Sequence, residues 1–115
     1  TFHHIGLPTD ESQPGERYVE DTKVWVTDPA DHPCRVEFLR FESDSPVTGP
    51  LRDMAHVAYR VDDLDAALAG EDVILEPFVP MPGLVVAFCM KDGAVIEYMR
   101  FDPPATEFSH LQQAD

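Results

Sequence analysis

Positively charged side chains are scarce in this sequence. Its 115 residues contain 8 lysines and arginines against 22 aspartates and glutamates, so the formal net charge is −14. Nucleic acids and anionic membrane surfaces both require a cationic face on the proteins that bind them. The charge therefore argues against both kinds of partner, although it names no substrate.

Long apolar runs and cysteines are scarce as well. The longest apolar run, Leu84 to Met90, is far too short to span a membrane, and the chain opens without a charged-then-apolar signal segment. The two cysteines, Cys34 and Cys89, are expected to stay reduced as small buried side chains in strands. We therefore expect a cytoplasmic protein.

The apolar residues that are present suit one folded domain. They make up 43 % of the chain, which is enough for a globular protein with one hydrophobic core. We predict a single domain over residues 1–115, with one unit at about 2–42 and a second at about 54–102. The segment at 43–53 is rich in turn-forming residues and is predicted to be a linker. The segment at 103–115 is predicted to be a tail along the surface.

Two segments of the chain have nearly the same sequence. RVEFLRF (Arg35–Phe41) and VIEYMRF (Val95–Phe101) share a glutamate, an aromatic residue, an arginine and a phenylalanine in the same order. When these segments are aligned, HIGL beginning at His4 matches HVAY beginning at His56. Each unit therefore has one histidine in its predicted first strand and one glutamate in its predicted last strand.

The second unit has the pattern of a βαβββ fold. DDLDAALAG predicts a helix, with Asp62 or Asp63 as its cap and Gly70 as its stop, and Asp-Gly in KDGA predicts a hairpin turn. In the first unit, Pro14-Gly15 interrupts the corresponding segment, so at most one helical turn is expected there. The predicted fold class is α+β, with two βαβββ-type units, a mainly antiparallel sheet and a reduced helix in the first unit.

The two repeated glutamates lie on partly apolar strand faces. Glu37 and Glu97 each have apolar residues two and four positions later, and alternation places these on the same face. A carboxylate on such a face is costly without a cation or strong donors. Two histidines and two glutamates provide a nitrogen and oxygen ligand set for a divalent transition metal, with one or two positions left open.

Neighbouring residues have simpler interpretations. Arg40 and Arg100 could pair with the glutamates, but alternation puts them on the opposite face. His3 is expected to face away from His4, at a surface or edge, with metal ligation as the alternative. His32 is expected to be solvated. The aromatic residues of the strands are expected to be core more often than pocket lining.

This arrangement resembles the vicinal oxygen chelate superfamily, which includes glyoxalase I, methylmalonyl-CoA epimerase, extradiol dioxygenases and the bleomycin and fosfomycin resistance proteins. The resemblance covers Phe2 to Phe101, and HHIGLPT and HVAYRVDDLDAAL are its recognisable motifs. It implies a cupped sheet with a metal held by His4, Glu37, His56 and Glu97. A complete His-Glu-His-Glu set is similar to the glyoxalase I arrangement.

The resemblance also implies a reaction. It is that of a metal-dependent lyase or isomerase acting on a small α-oxo or α-hydroxy substrate that forms an enediol, with Glu97 or Glu37 as the base. Nickel or zinc is the expected metal, with cobalt, manganese or iron as alternatives. No basic cluster suited to glutathione is present. The alternatives are a small-molecule binding or resistance protein and an extradiol-type dioxygenase, and a homodimer is expected in each case.

Overall fold

A curled eight-stranded sheet dominates the structure, a computed structural model that describes residues 1–102. The predicted tail at 103–115 lies outside these residues. In chain order, the strands are β1 (Phe2–Pro8), β2 (Arg17–Val19), β3 (Val24–Val26), β4 (Val36–Phe41), β5 (His56–Arg60), β6 (Asp72–Met81), β7 (Leu84–Lys91) and β8 (Ala94–Phe101). The helices are α1 (Pro50–Asp53) and α2 (Leu64–Leu68), and a single 3-10 turn covers Pro29–Asp31.

The strand order shows that the two units are related by an approximate two-fold axis. Across the sheet the order is β2-β3-β4-β1-β5-β8-β7-β6. β1 and β5 are antiparallel neighbours at the centre, and each is parallel to the last strand of its own unit, β4 or β8. The remaining neighbours are antiparallel. The predicted α+β class with a mainly antiparallel cupped sheet is confirmed.

Local sequence signals account for the connections of the second unit, which comprises β5 to β8. The side chain of Asp63 caps α2, because its Oδ1 accepts a hydrogen bond of 3.0 Å from the backbone N–H of Ala66. Gly70, just after the helix, has a φ of 76°. Asp92 and Gly93 have φ angles of 52° and 82°, as the predicted hairpin turn between β7 and β8 requires.

The first unit, which comprises β1 to β4, differs from the prediction in one connection. The segment between β1 and β3 contains no helical turn, which is within the prediction of at most one, but it includes the unpredicted strand β2, which pairs with β3. Pro14 and Gly15 disfavour a helix, and the ring of Tyr18 in β2 lies 5.0 Å from that of Trp25 in β3. The predicted linker contains the unpredicted helix α1, which has a proline in its first turn.

The buried core is larger in the second unit. Its cluster consists of Ala58, Leu84, Val86 and Met99, whereas the cluster in the first unit consists of Val24 and Val26. Cys89 is buried in β7, as predicted. The prediction for Cys34 was wrong, since this residue lies in an exposed turn before β4 begins. Within residues 1–102, no helix is long and apolar enough to cross a membrane.

Candidate metal centre

The four central strands bring together the four side chains that the repeat singled out. Glu37, His4, His56 and Glu97 belong to β4, β1, β5 and β8, which are consecutive across the sheet. All four are buried, with exposed fractions between 1 % and 7 %. Burial of this many ionisable groups in one place requires that they compensate one another or share a ligand.

Strand register places Glu37 and His56 on either side of Gly6. Gly6 in β1 is paired with Glu37 on one side and with His56 on the other. A Cβ atom at Gly6 would lie only 2.0 Å from Cε1 of His56. The imidazole therefore lies across the glycine, in space that any larger residue would occupy.

The second half repeats this arrangement with Ala58 in the place of Gly6. Ala58 in β5 is paired with His4 on one side and with Glu97 on the other. Directly opposed residues share a face of the sheet, as do residues two apart in one strand. All four ionisable side chains therefore lie on the same face, and a small residue separates each histidine from the glutamate across it.

Both histidines direct Nε2 toward carboxylates. Nε2 of His4 lies 3.6 Å from Oε1 of Glu37 and 3.4 Å from Oε1 of Glu97. Nε2 of His56 lies 3.1 Å from the same oxygen of Glu97. One ligand atom from each of His4, Glu37 and His56 also lies within 4.8 Å of the other two. Glu97 thus contacts both histidines, and Glu37 completes a compact group with them.

The donor atoms fit a divalent transition metal. Nε2 of His4 and Nε2 of His56 are buried and have no hydrogen-bond partner within the described part of the chain, although carboxylate oxygens are close. Buried polar atoms without a partner are costly and need an explanation. Imidazole nitrogens and carboxylate oxygens are ligands that zinc, nickel and related metals accept. A cation between them would satisfy both nitrogens and both carboxylates.

Glu97 and His56 shift each other's pKa in opposite directions. Burial by itself would raise the pKa of the Glu97 carboxyl, but its contacts with His4 and His56, and their charges, hold this pKa well below its usual range. Burial would likewise lower the pKa of His56, but its contact with Glu97 and the charges of Glu97 and Glu37 raise it. The site therefore favours an ionised carboxylate and attracts positive charge.

His3 lies inside the protein, contrary to the prediction of a surface or edge position. It has no exposed surface, and its ring stacks on that of Phe101 with centroids 5.5 Å apart. Its Nδ1 lies 2.6 Å from Nδ1 of His4. The pairing of β1 with β5 is irregular between Phe2 and His4, and such a bulge disrupts strict alternation. No residue type in this segment signals the bulge.

The two strand arginines pair away from the site, as alternation predicted. Arg40 forms an ion pair with Glu16, and its guanidinium lies 5.2 Å from the centre of the Trp25 ring. Nε of Arg100 lies 3.1 Å from Oδ1 of Asp102. Neither arginine provides the counter-charge for the buried glutamates in these contacts.

An apolar cavity of about 150 Å³ lies beside His56. Its apolar walls include Leu39 and Phe41 of β4, Leu75 and Phe78 of β6, and Phe88 of β7. The Phe88 ring meets the His56 ring edge-on at 5.5 Å. The strand aromatic residues were expected to be core more often than pocket lining, and no local sequence pattern shows that β4 and β6 face the same cavity.

Two solved structures are similar to this chain. A hypothetical protein from Bacillus halodurans C-125 is 15 % identical, with a TM-score of 0.63 over 92 % of this chain and 97 % of the other. Methylmalonyl-CoA epimerase from Mycobacterium tuberculosis is 16 % identical, with a TM-score of 0.58 over 89 % of this chain and 88 % of the other. The sequence matches no protein-family profile and no curated protein.

These likenesses show the fold. The chain has the curled sheet of these two proteins, and this architecture is consistent with the cupped sheet expected for the vicinal oxygen chelate proteins. Membership of that superfamily stays a prediction. The glyoxalase-like assignment is finer than the fold and stays a prediction.

Proposed function

We propose that this protein is a metal-dependent isomerase or lyase, similar to glyoxalase, which moves a proton between adjacent carbons of a small α-oxo or α-hydroxy substrate. The observation that carries the proposal is the pair of buried Nε2 atoms, on His4 and His56, which face carboxylates without a hydrogen-bond partner among the described residues. Nickel or zinc is the proposed ion, with cobalt, manganese or iron as alternatives.

Each ligand residue has a definite part in this proposal. His4, Glu37, His56 and Glu97 would hold the metal, which when bound supplies Lewis acidity for negative charge that develops on the substrate oxygens. One of the two carboxylates, on Glu97 or Glu37, accepts a proton from one carbon and returns it to the next. The reaction is a rearrangement, so it needs no oxidant.

Elemental analysis of the untagged protein tests the metal. We expect about one transition-metal ion per chain in the wild type, and its loss in Glu97→Ala and in His56→Ala. Glu16→Ala is a matched control, because this glutamate is paired with Arg40 outside the site, and it should keep the metal. A wild type that binds no metal after reconstitution with nickel, zinc or cobalt would refute the proposal.

Solvent deuterium exchange tests the reaction class. An isomerase that works by proton transfer should incorporate deuterium into an α-hydroxy ketone such as 2-hydroxyacetophenone without consuming oxygen. The exchange should disappear when both Glu37 and Glu97 are replaced by glutamine. Bound iron with oxygen consumption on a catechol would identify the dioxygenase alternative instead.

A small-molecule binding protein is the second candidate. The apolar cavity beside His56 favours it, because such a cavity can bind a ligand without any reaction. Ligand binding without deuterium exchange in the metal-loaded protein would support this candidate over the isomerase. A homodimer is also proposed for either function, and sedimentation equilibrium would test it.

A further inference from the structure

We propose that the substrate carries a compact, uncharged apolar group, about the size of one phenyl ring, beside the two oxygens that reach the metal. This inference rests on the proposed function, because it places those oxygens among the four ligands. It goes beyond that function by naming the class of substrate. The cavity beside His56 is the feature that carries it.

The cavity and the ligands lie on the same face of the sheet. Leu39, which lines the cavity, is two residues from Glu37 in β4 and therefore shares its face. Phe88, another lining residue, is directly opposite Glu97 across β7 and β8. His56 belongs to both the ligand group and the cavity wall. A substrate held at the ligands can thus extend directly into the cavity.

The size and the chemistry of the walls select the group. The cavity has a volume of about 150 Å³, and apolar cavities of about 150 Å³ are known to bind benzene. Among the described residues that line it, Thr22 and His56 are polar and none carries a fixed charge. The carboxylates of glutathione or the phosphates of coenzyme A would lose solvation there without compensation. The net charge of −14 also opposes such anionic carriers.

Two hydroxamic acids with the same chelating head can test this inference. Benzohydroxamate and acetohydroxamate both bind metals through two oxygens, and only the first carries a phenyl ring. We expect cobalt-loaded protein to bind benzohydroxamate on the order of 100-fold more tightly, because the ring leaves water for the cavity. Calorimetry gives the affinities, and the visible spectrum of cobalt shows that both heads reach the metal.

A cavity-filling variant tests whether the preference for benzohydroxamate arises in the cavity beside His56. Leu75 is a partly exposed cavity residue on the edge strand β6, so Leu75→Trp should fill the space with little strain elsewhere. Val79→Trp is the matched control, since Val79 lies on the same strand and is 63 % exposed. Leu75→Trp should lose most of the preference for benzohydroxamate and keep its affinity for acetohydroxamate. Val79→Trp should behave as the wild type.

The outcomes separate this inference from the proposed function. If both hydroxamates change the cobalt spectrum with affinities within about threefold of each other, the substrate class is wrong and the metal site stands. The same conclusion follows if S-benzylglutathione competes more strongly than benzohydroxamate. If cobalt does not bind at all, the proposed function fails, and the substrate class fails with it.

A different observation carries a second inference, which concerns the ligand His4. The structure assigns His3 as a positioning residue that fixes the tautomer of His4. Nδ1 of His3 lies 2.6 Å from Nδ1 of His4 in a buried contact. Two lone pairs or two N–H groups would repel at that distance, so one nitrogen donates and the other accepts.

The metal site decides which nitrogen donates. If Nδ1 of His4 donates a hydrogen bond to His3, then Nε2 of His4 can give its lone pair to a metal ion held between it and the carboxylates. Histidine ligands of metals generally donate their other N–H to a fixed acceptor, which sets the ring orientation and increases basicity. A carboxylate or carbonyl commonly provides that acceptor, and here a second histidine does.

The acceptor itself is held in place from two directions. The ring of His3 stacks on that of Phe101, and the backbone carbonyl of His3 accepts a hydrogen bond of 2.6 Å from Nε of Arg35. His3 has no exposed surface. Its position beside His4 is therefore fixed by packing, as an orienting group requires.

Substitution of the acceptor tests the assignment. His3→Phe keeps an aromatic ring against Phe101 and removes Nδ1, and we expect a cobalt Kd that is about 10–100-fold higher. His32→Phe makes the same change at a loop histidine. Its cobalt Kd should stay within about threefold of the wild-type value. At saturating cobalt, His3→Phe should reproduce the wild-type visible spectrum, because the ligands are unchanged. A changed spectrum would instead make His3 a direct ligand and overturn the assignment.

The metal-free protein gives an independent readout. Nitrogen-15 NMR should show a proton on Nδ1 of His4 and none on Nδ1 of His3 in the wild type, whether or not Nε2 of His4 is also protonated. This measurement remains informative if no metal binds, so it distinguishes failure of the assignment from failure of the proposed function. A proton on Nδ1 of His3, with Nδ1 of His4 bare, would overturn the positioning role.

Discussion

The two units place their histidine and glutamate at equivalent positions through different surroundings. In the first unit, a loop follows β1, and β2 and β3 have only three residues each. In the second, α2 follows β5, and β6 and β7 have ten and eight residues. Yet Gly6 pairs with Glu37 as Ala58 pairs with Glu97. The site therefore depends on the two parallel pairs, β1 with β4 and β5 with β8, and tolerates variation in the outer strands.

The roles of the two units at the site are not identical. Glu97 of the second unit contacts both histidines, whereas the contact of Glu37 with His4 is the longest of the three. Conversely, the first unit has the glycine over which His56 lies. Each unit thus contacts the histidine of the other, and single substitutions can show where the equivalence of the two units ends.

The glutamates provide the largest expected difference. Glu97→Gln should raise the Kd for zinc on the order of 1,000-fold, about 4 kcal/mol, because both histidines lose their charged neighbour. Glu37→Gln should have a smaller effect, about 100-fold. Competition with a chromophoric chelator measures both values. Equal losses would show that the two glutamates are equivalent ligands despite their different contacts.

The second largest difference is expected between the hydrophobic cores of the two units, in the stability lost when a core residue is truncated. Met99 is 1 % exposed in the larger cluster of the second unit, and Met99→Ala should reduce the free energy of unfolding by about 2–5 kcal/mol. Val26 is 6 % exposed in the smaller cluster of the first unit, and Val26→Ala should cost about 1–2 kcal/mol. Urea denaturation of the metal-free proteins measures both. A larger cost for Val26→Ala would show that the first unit sets the stability.

Substitutions at Gly6 and Ala58 test the small residues that separate each histidine from a glutamate. In Gly6→Ala, the new Cβ would collide with the ring of His56, so the ring must move and the zinc Kd should rise about 10–100-fold. Ala58→Gly, at the equivalent position, removes a methyl group without blocking His4 and should change the Kd by less than about threefold. An unchanged Kd in Gly6→Ala would contradict this account of the site.

The ion pair of Glu16 with Arg40, which is found in the first unit, should have the smallest effect. The hydrogen bond from Arg40 lowers the pKa of Glu16 below its ordinary value of 4.5. The pair therefore stabilises the protein fully above pH 4.5 and loses this contribution as the pH falls through the lowered pKa. Glu16→Gln should lower the Tm slightly at pH 7, and the difference from wild type should vanish in strong acid. A difference that grows in acid would have the wrong sign.

Much of the site could be predicted because it depends on pairing within regular strands. The repeated RVEFLRF and VIEYMRF segments lie in β4 and β8, and alternation correctly placed their glutamates on one buried face and their arginines on the other. The register that opposes His4 to Ala58 then brings the histidines to that face. The metal itself, the base and the homodimer are predictions that still need measurement.

The remainder could not be predicted because it depends on irregular or long-range structure. The buried position of His3 follows from a bulge in β1, and a residue-by-residue alternation cannot anticipate a bulge. The short strand β2 forms because β3 is available as a partner, which overrides the weak helical propensity of ERYVED. The cavity likewise forms only because the curled sheet brings residues of β4 and β6 to the same cavity.

The pairing of β1 with β5 has a consequence for the energetics of folding. Within residues 1–102, it is the one place where strands of the two units are hydrogen-bonded to each other. A metal ion bound by side chains of both units can bind only after β1 has paired with β5. Binding therefore stabilises the folded state in which the two units are paired, by thermodynamic linkage. At a free concentration 100 times its Kd, such a ligand contributes about 2.7 kcal/mol. The loaded protein should therefore resist protease digestion longer than the metal-free protein, before any substrate is present.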